Sequence, residues 1–136
     1  CLYLGNLDSM RDWSHAKDVV RMQWLILQQK KPDDYVISSD KKYSVREFVE
    51  TAGKFLGYKI KWVGKDLNEK GIDSNTGRCI VRINKKYFRP NDVQYLRGDS
   101  SKARKLLGWK PSISFRELVR EMVESDFEFL KKSNVK

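Results

Sequence analysis

Twice in this chain a serine stands three residues ahead of a glutamate at the head of a helix-spaced apolar stripe: Ser44 with Glu47, and Ser114 with Glu117. The serine side chain accepts from a backbone N–H of the first turn while the glutamate reaches back to the serine N–H, so each pair fixes where a helix begins. Tyr43 and Ile113 precede the two serines and are placed to staple onto Phe48 and Leu118. Behind the first cap, Val45, Phe48, Val49, Ala52, Phe55 and Leu56 make an apolar stripe that Gly57 closes. Behind the second, Phe115, Leu118, Val119, Met122, Val123, Phe127 and Leu130 make another. Stripes of this width must be covered by other elements, so both, and the apolar face Ala16, Val19, Val20, Trp24 and Leu27 of the first helix, are expected to be core.

Around these helices the period changes. Residues 58–63 alternate, with Ile60 and Trp62 on one side and Lys59 and Lys61 on the other, which is a strand pattern. Residues 2–4, Tyr35-Val36-Ile37 and residues 79–83 read as further short strands. Residues 14–29 have helical spacing with Ala16, Val19, Val20, Trp24 and Leu27 on one face, and residues 101–107 form a short helix ended by Gly108. The stretch 64–78 is polar and rich in Gly, Asp and Asn, and is expected to be a loop. Alternating helices and strands place the chain in the α/β class.

At 136 residues the length suits one domain or a piece of one. The chain has no initiator Met and opens inside a strand, so it is expected to be a piece of a longer protein. No stretch approaches the roughly 20 apolar residues of a membrane helix, and the first residues lack the basic region of a signal peptide. The 28 Lys and Arg against 18 Asp and Glu give a net charge of +10. These cations are interleaved with acids and their longest runs, such as Lys30-Lys31 and Lys85-Lys86, are pairs. That pattern favours a solvated cationic surface over a nucleic-acid groove, and a general positive field still suits a small anionic ligand. Cys1 and Cys79 match no metal or disulfide spacing and are expected to be reduced thiols of a cytosolic protein, and His15 is the sole histidine, which disfavours zinc and a Ser-His-Asp triad. No glycine-rich phosphate loop of the Walker or dinucleotide type occurs, and no carboxylate pair is set apart by spacing. The chain by itself does not describe a catalyst.

Two segments can carry ligand chemistry. In Arg11-Asp12-Trp13-Ser14-His15-Ala16 an arginine stands at the entry to a helix, where its planar fork can bind phosphate oxygens, or simply pair with Asp8 or Asp12. In Tyr87-Phe88-Arg89-Pro90-Asn91-Asp92 the proline stiffens a turn that holds a guanidinium and a carboxylate three residues apart. These can share a nucleotide, guanidinium to phosphate and carboxylate to ribose hydroxyls, or close on each other as a local bridge.

Residues 4–18, Leu-Gly-Asn-Leu-Asp-Ser-Met-Arg-Asp-Trp-Ser-His-Ala-Lys-Asp, resemble a segment of the GDP-mannose 4,6-dehydratases. So do Tyr43-Ser44-Val45-Arg46-Glu47-Phe48-Val49, Glu69-Lys70-Gly71-Ile72, Tyr87-Phe88-Arg89-Pro90, and Gly98-Asp99 followed by Lys105-Leu106-Leu107-Gly108-Trp109-Lys110-Pro111. Leu118-Val119-Arg120-Glu121-Met122-Val123 completes a series that spans nearly the whole chain. The resemblance implies residues 1–136 as the C-terminal substrate-binding part of an NAD(P)-binding Rossmann-fold nucleotide-sugar dehydratase, with the cofactor-binding Rossmann part absent from this chain. It implies a cytoplasmic homo-oligomer that converts GDP-mannose to GDP-4-keto-6-deoxymannose and water with bound NADP. The glycine motif and the Tyr-x-x-x-Lys pair of such enzymes lie outside this sequence, so the isolated chain is expected to hold no NADP and to be inactive. Carried over by position, Arg11 resembles the arginine facing the sugar-nucleotide, Arg89 the one binding the diphosphate, and Asp92 the ribose-binding acid. Asp92 stands where these dehydratases usually have Glu, and Ser14 where they usually have Gly. The alternatives are another NADP-dependent nucleotide-sugar dehydratase or epimerase, and a basic nucleic-acid-binding module.

Overall fold

Ser44 Oγ accepts from the Glu47 N–H at 3.1 Å and the Glu47 carboxylate accepts from the Ser44 N–H at 2.6 Å, starting helix α2 (Val45–Phe55). Ser114 and Glu117 repeat both bonds, at 3.3 and 2.8 Å, ahead of α4 (Phe115–Ser133). This computed structural model describes residues 1–93 and 95–133. The two capped helices pack on each other. Tyr43, expected to staple onto Phe48, stacks on Phe115 with ring centroids 4.0 Å apart. Phe115 in turn meets Phe48 edge-on at 5.8 Å, and Trp13 tilts against Phe48 at 4.8 Å. The three rings of Tyr43, Phe115 and Phe48 thus form a chain from α4 to α2, and such ring pairs add about 0.5–1.5 kcal/mol beyond buried area.

Four strands form one sheet in the order β1 (Leu2–Leu4), β6 (Cys79–Ile83), β5 (Lys70–Asp73), β4 (Ile60–Val63). The β1–β6 pair is parallel and the other two pairs are antiparallel. A two-residue ladder joins β2 (Met10–Arg11) to β3 (Tyr43–Ser44). The expected loop over 64–78 is corrected: a 3₁₀ turn at Asp66–Asn68 leads into β5, an interior strand. Its polar letters have structural duties. A Cβ on Gly71 would lie 3.0 Å from the Trp62 ring and 3.1 Å from Val81, so a side chain there would crowd both neighbouring strands. Asp73 is buried and accepts from the Lys59 and Asn75 N–H groups and the Thr76 hydroxyl, closing the β5–β6 turn.

Helix α1 (Ala16–Leu27) is capped by His15, whose Nδ1 accepts from the Lys17 N–H at 3.0 Å; the helix begins two residues after Ser14. Its expected face is also corrected. Val20, Trp24 and Leu27 are exposed, whereas Asp18 and Met22 are buried and Leu25 and Ile26 pack beside them. Met22 meets Ala103 of α3 (Ser101–Leu107) and Trp109 in a fully buried cluster. The Trp109 indole donates to the Asp18 carbonyl at 3.1 Å. The Asp18 carboxylate accepts from the Ser112 and Ile113 N–H groups, both at 3.0 Å, and from the Ser112 hydroxyl at 2.7 Å. A carboxylate at the centre of the buried face is what apolar periodicity misses. Tyr35-Val36-Ile37, expected as a strand, joins no ladder among the described residues; Tyr35 and Ile37 pack on the Met22 cluster. Along α4, Phe115, Leu118, Val119 and Val123 are covered, while Met122, Phe127 and Leu130 are exposed.

Candidate functional site

The parallel strands β1 and β6 run into the two segments that make the site. At Gly5, just past β1, a Cβ would fall 2.2 Å from the Tyr87 carbonyl oxygen, so only glycine lets the chain after β6 come this close. The Asn84 N–H donates to the Leu4 carbonyl at 2.8 Å and fixes that approach. Asn6 then donates from its amide to the Arg89 carbonyl at 2.8 Å, and the Ser9 hydroxyl donates to Asp92 Oδ2 at 2.6 Å. Arg11, held on β2, donates through Nη1 to the carbonyls of Met10 and Val93 at 2.8 and 2.7 Å, and through Nη2 to Asp92 Oδ1 at 2.8 Å. The two segments singled out in the sequence, some 80 residues apart, are thereby clamped together.

Each candidate residue now has a definite setting. Arg11 pairs with Asp92, not with Asp8 or Asp12. Asp8 binds Arg46, and Asp12 accepts from the Ser39 N–H and the Ser14 hydroxyl. The local Arg89–Asp92 side-chain bridge is not formed; the turn is closed by the Asp92 N–H donating to the Arg89 carbonyl at 3.2 Å. Arg89 is exposed, and its guanidinium makes no hydrogen bond or ion pair among the described residues. The Ser9 hydroxyl, and after it the Arg11 charge, hold the Asp92 carboxyl below its ordinary value even though partial burial opposes this. Asp92 is therefore a carboxylate at neutral pH.

A cleft of about 390 Å³ opens between these segments, lined by Asn6, Asp8, Ser9, Glu69, Asp92 and Tyr95 among others, with Phe88 and Pro90 on either side of Arg89. Asn6 Oδ1 is buried there without a hydrogen-bond partner among the described residues. Sequence reasoning missed the residue that organises the far wall, Arg46. Its guanidinium grips Glu69 in a two-point contact at 2.6 and 3.0 Å and Asp8 at 2.9 and 3.0 Å, and lies over the Trp62 ring at 4.7 Å. Those contacts, Glu69 foremost, hold Arg46 above its ordinary value. Arg46 and Glu69 each stand in one of the motifs quoted above, residues 43–49 and 69–72, but nothing local ties that acid to an arginine 23 residues earlier. The chemistry on offer is a set of fixed carboxylates lining the cleft, and an exposed Arg89 whose chain neighbours Phe88 and Pro90 line it, suited to a ligand that is anionic at one end and rich in donors at the other. Among the described residues no group of three or more His, Cys, Asp or Glu could hold a metal ion, and no helix is long and apolar enough to cross a membrane.

A family model described as GDP-mannose 4,6 dehydratase matches residues 1–122. The chain is 49% identical over 132 residues to a GDP-mannose 4,6 dehydratase of Drosophila melanogaster, covering 97% of this chain and 33% of that protein. It is 50% identical over 131 residues to one from Cricetulus griseus, covering 96% and 35%. The chain thus spans about a third of the length of the curated relatives it matches. Among solved structures, RMD from Pseudomonas aeruginosa complexed with NADPH aligns with a TM-score of 0.67 at 18% identity, over 90% of this chain and 34% of that one. A UDP-glucose 4-epimerase from Thermotoga maritima with UDP-glucose aligns with a TM-score of 0.69 at 21% identity, over 95% and 35%. These structural likenesses show that the chain shares the mixed α/β fold of the corresponding third of those proteins.

Proposed function

Because the chain belongs to the GDP-mannose 4,6-dehydratase family, we propose that it is the part of such an enzyme that grips the nucleotide end of GDP-mannose. The observation that carries this reading is the division between two arginines. Arg11 is engaged by Asp92 and two carbonyls, and Arg89 is left as an exposed guanidinium beside the cleft. On this reading Arg89 binds the diphosphate, Asp92 accepts from a ribose hydroxyl, and Arg11 turns its remaining N–H groups toward the sugar-nucleotide while keeping Asp92 in place. Binding energy at the nucleotide end, remote from the reacting hexose, then positions the sugar for chemistry.

The whole enzyme is proposed to convert GDP-mannose to GDP-4-keto-6-deoxymannose and water as a cytoplasmic homo-oligomer, with residues 1–136 as its C-terminal substrate-binding part. NADP supplies the hydride chemistry in that enzyme. This chain has no glycine-rich strand–turn–helix to hold it, and no residue here is assigned to it. The 136-residue chain alone should neither retain NADP nor release the 4-keto product; product formed by the purified chain would contradict this division of labour.

The binding role is tested by calorimetric titration of GDP-mannose into the full-length enzyme. Arg89→Ala should cost about 1.5–3 kcal/mol, the scale of a lost charged hydrogen bond, or roughly a ten- to hundredfold weaker dissociation constant. Arg89→Lys should recover only part of that, because a point charge cannot reproduce the two-pronged fork. Unchanged affinity in a folded Arg89→Ala enzyme would remove the residue from the site.

A further inference from the structure

At the ends of β1 and β6 remote from the cleft, the two cysteines of the chain meet. Cys1 Sγ and Cys79 Sγ are 3.9 Å apart on neighbouring strands whose register pairs Leu2 with Val81. Neither is in a disulfide; Cys1 is exposed and Cys79 half-buried. The Arg82 Nε–H donates to Cys79 Sγ at 3.4 Å, a contact that a thiolate accepts more strongly than a thiol. Both cysteines line an open apolar cleft of about 730 Å³ together with Leu56, Tyr58, Arg78 and Val81, which gives a small neutral oxidant a way in. A disulfide bond is about 2.05 Å long, so the sulfurs must close by roughly 2 Å, a movement within reach of side-chain rotation at exposed Cys1.

We propose that Cys1 and Cys79 are a peroxide-oxidisable thiol pair that closes to a disulfide between β1 and β6. Cys79, beside Arg82, attacks hydrogen peroxide: an S–O bond forms, the O–O bond breaks, and a sulfenic acid and one water result. The Cys1 thiol then attacks that sulfur; the S–S bond forms, the S–O bond breaks, and the departing hydroxide takes the thiol proton as a second water. Two thiols lose two electrons and one peroxide gains them. The cross-link joins the strands that lead into Asn6–Arg11 on one side and Arg89–Asp92 on the other, and closes most of the chain into one loop, which restricts the unfolded state.

The test is peptide mapping of the full-length protein after hydrogen peroxide treatment, without reductant. The expected result is a Cys1–Cys79 linked peptide about 2 Da below the sum of its parts, which dithiothreitol reverses. Cys1→Ser should leave a sulfenic acid on Cys79 that dimedone traps. Arg82→Gln should slow the cross-linking at least about threefold, since the Nε–H donor that holds Cys79 Sγ in place is lost. The oxidised protein without substitutions should melt above its reduced form. Both thiols remaining separately alkylatable after treatment, or cross-links only between molecules, would overturn the proposal. Dimedone labelling of Cys1 in Cys79→Ser with none of Cys79 in Cys1→Ser would overturn the assignment of the attacking thiol.

Discussion

The guanidinium of Arg11 is directed inward, onto the carbonyls of Met10 and Val93 and the carboxylate of Asp92, whereas that of Arg89 faces solvent. Removing each should therefore fail differently. Arg11→Ala unties the 89–93 turn and should lower the melting temperature as well as weaken GDP-mannose binding; Arg89→Ala should weaken binding and leave the melting temperature within about 2 °C, as for an exposed side chain without partners. Arg11→Ala and Asp92→Asn combined should destabilise less than the sum of the two, because they break the same contact. Melting curves of the four proteins decide this. Both segments were legible as candidates in the sequence, but not their pairing. Local spacing pointed to Asp8 and Asp12 for Arg11 and to Arg89 for Asp92, while the partner of each lies across the parallel contact between β1 and β6.

The elements were read best where a short signal determines them. Both capping boxes form at the serines and glutamates that announced them, and α3 ends at Gly108 in a left-handed conformation with φ of 62°. Ser44→Ala should cost about 1 kcal/mol, measurable by denaturant unfolding. Polar residues with structural duties were read worst. Asp18 sits on the buried face of α1 and ties it to the turn ahead of α4. Burial alone would raise its pKa, but the Ser112 hydroxyl, the Ile113 and Ser112 N–H groups and the Arg21 charge together hold it below the ordinary value. A carboxyl whose folded value is depressed contributes stability that is present above its unfolded value and lost as pH falls through the folded one. Stability owed to Asp18 should thus be complete at neutral pH and fade below about pH 4. Asp18→Asn should remove that pH-dependent part and lower stability by about 2–3 kcal/mol at neutral pH, since an amide replaces a carboxylate facing four donors. Unfolding titrations of both proteins across acid pH check the sign and the size.

For the molecule as a whole, the α/β class and most element positions followed from period and punctuation. The orientation of α1 did not, because its apolar residues lie all round the helix. Met22, Leu25 and Ile26 meet the Trp109 cluster, and Val20, Trp24 and Leu27 remain outside it. The interior strand β5 was hidden for the opposite reason, being written in Lys, Gly, Ile and Asp. The site shares both difficulties, since Arg46, Glu69 and Asp8 converge through the fold and not through any local pattern. The proposal that matters most at this scale is that Arg11, Arg89 and Asp92 hold the nucleotide and leave the hexose to the rest of the enzyme. Parallel calorimetric titrations of GDP and of GDP-mannose into full-length wild-type and Arg89→Ala enzyme test it directly. Both ligands should weaken by the same factor, roughly ten- to hundredfold, because the lost contact lies on the part they share. A loss confined to GDP-mannose, or no loss for either, would contradict the account.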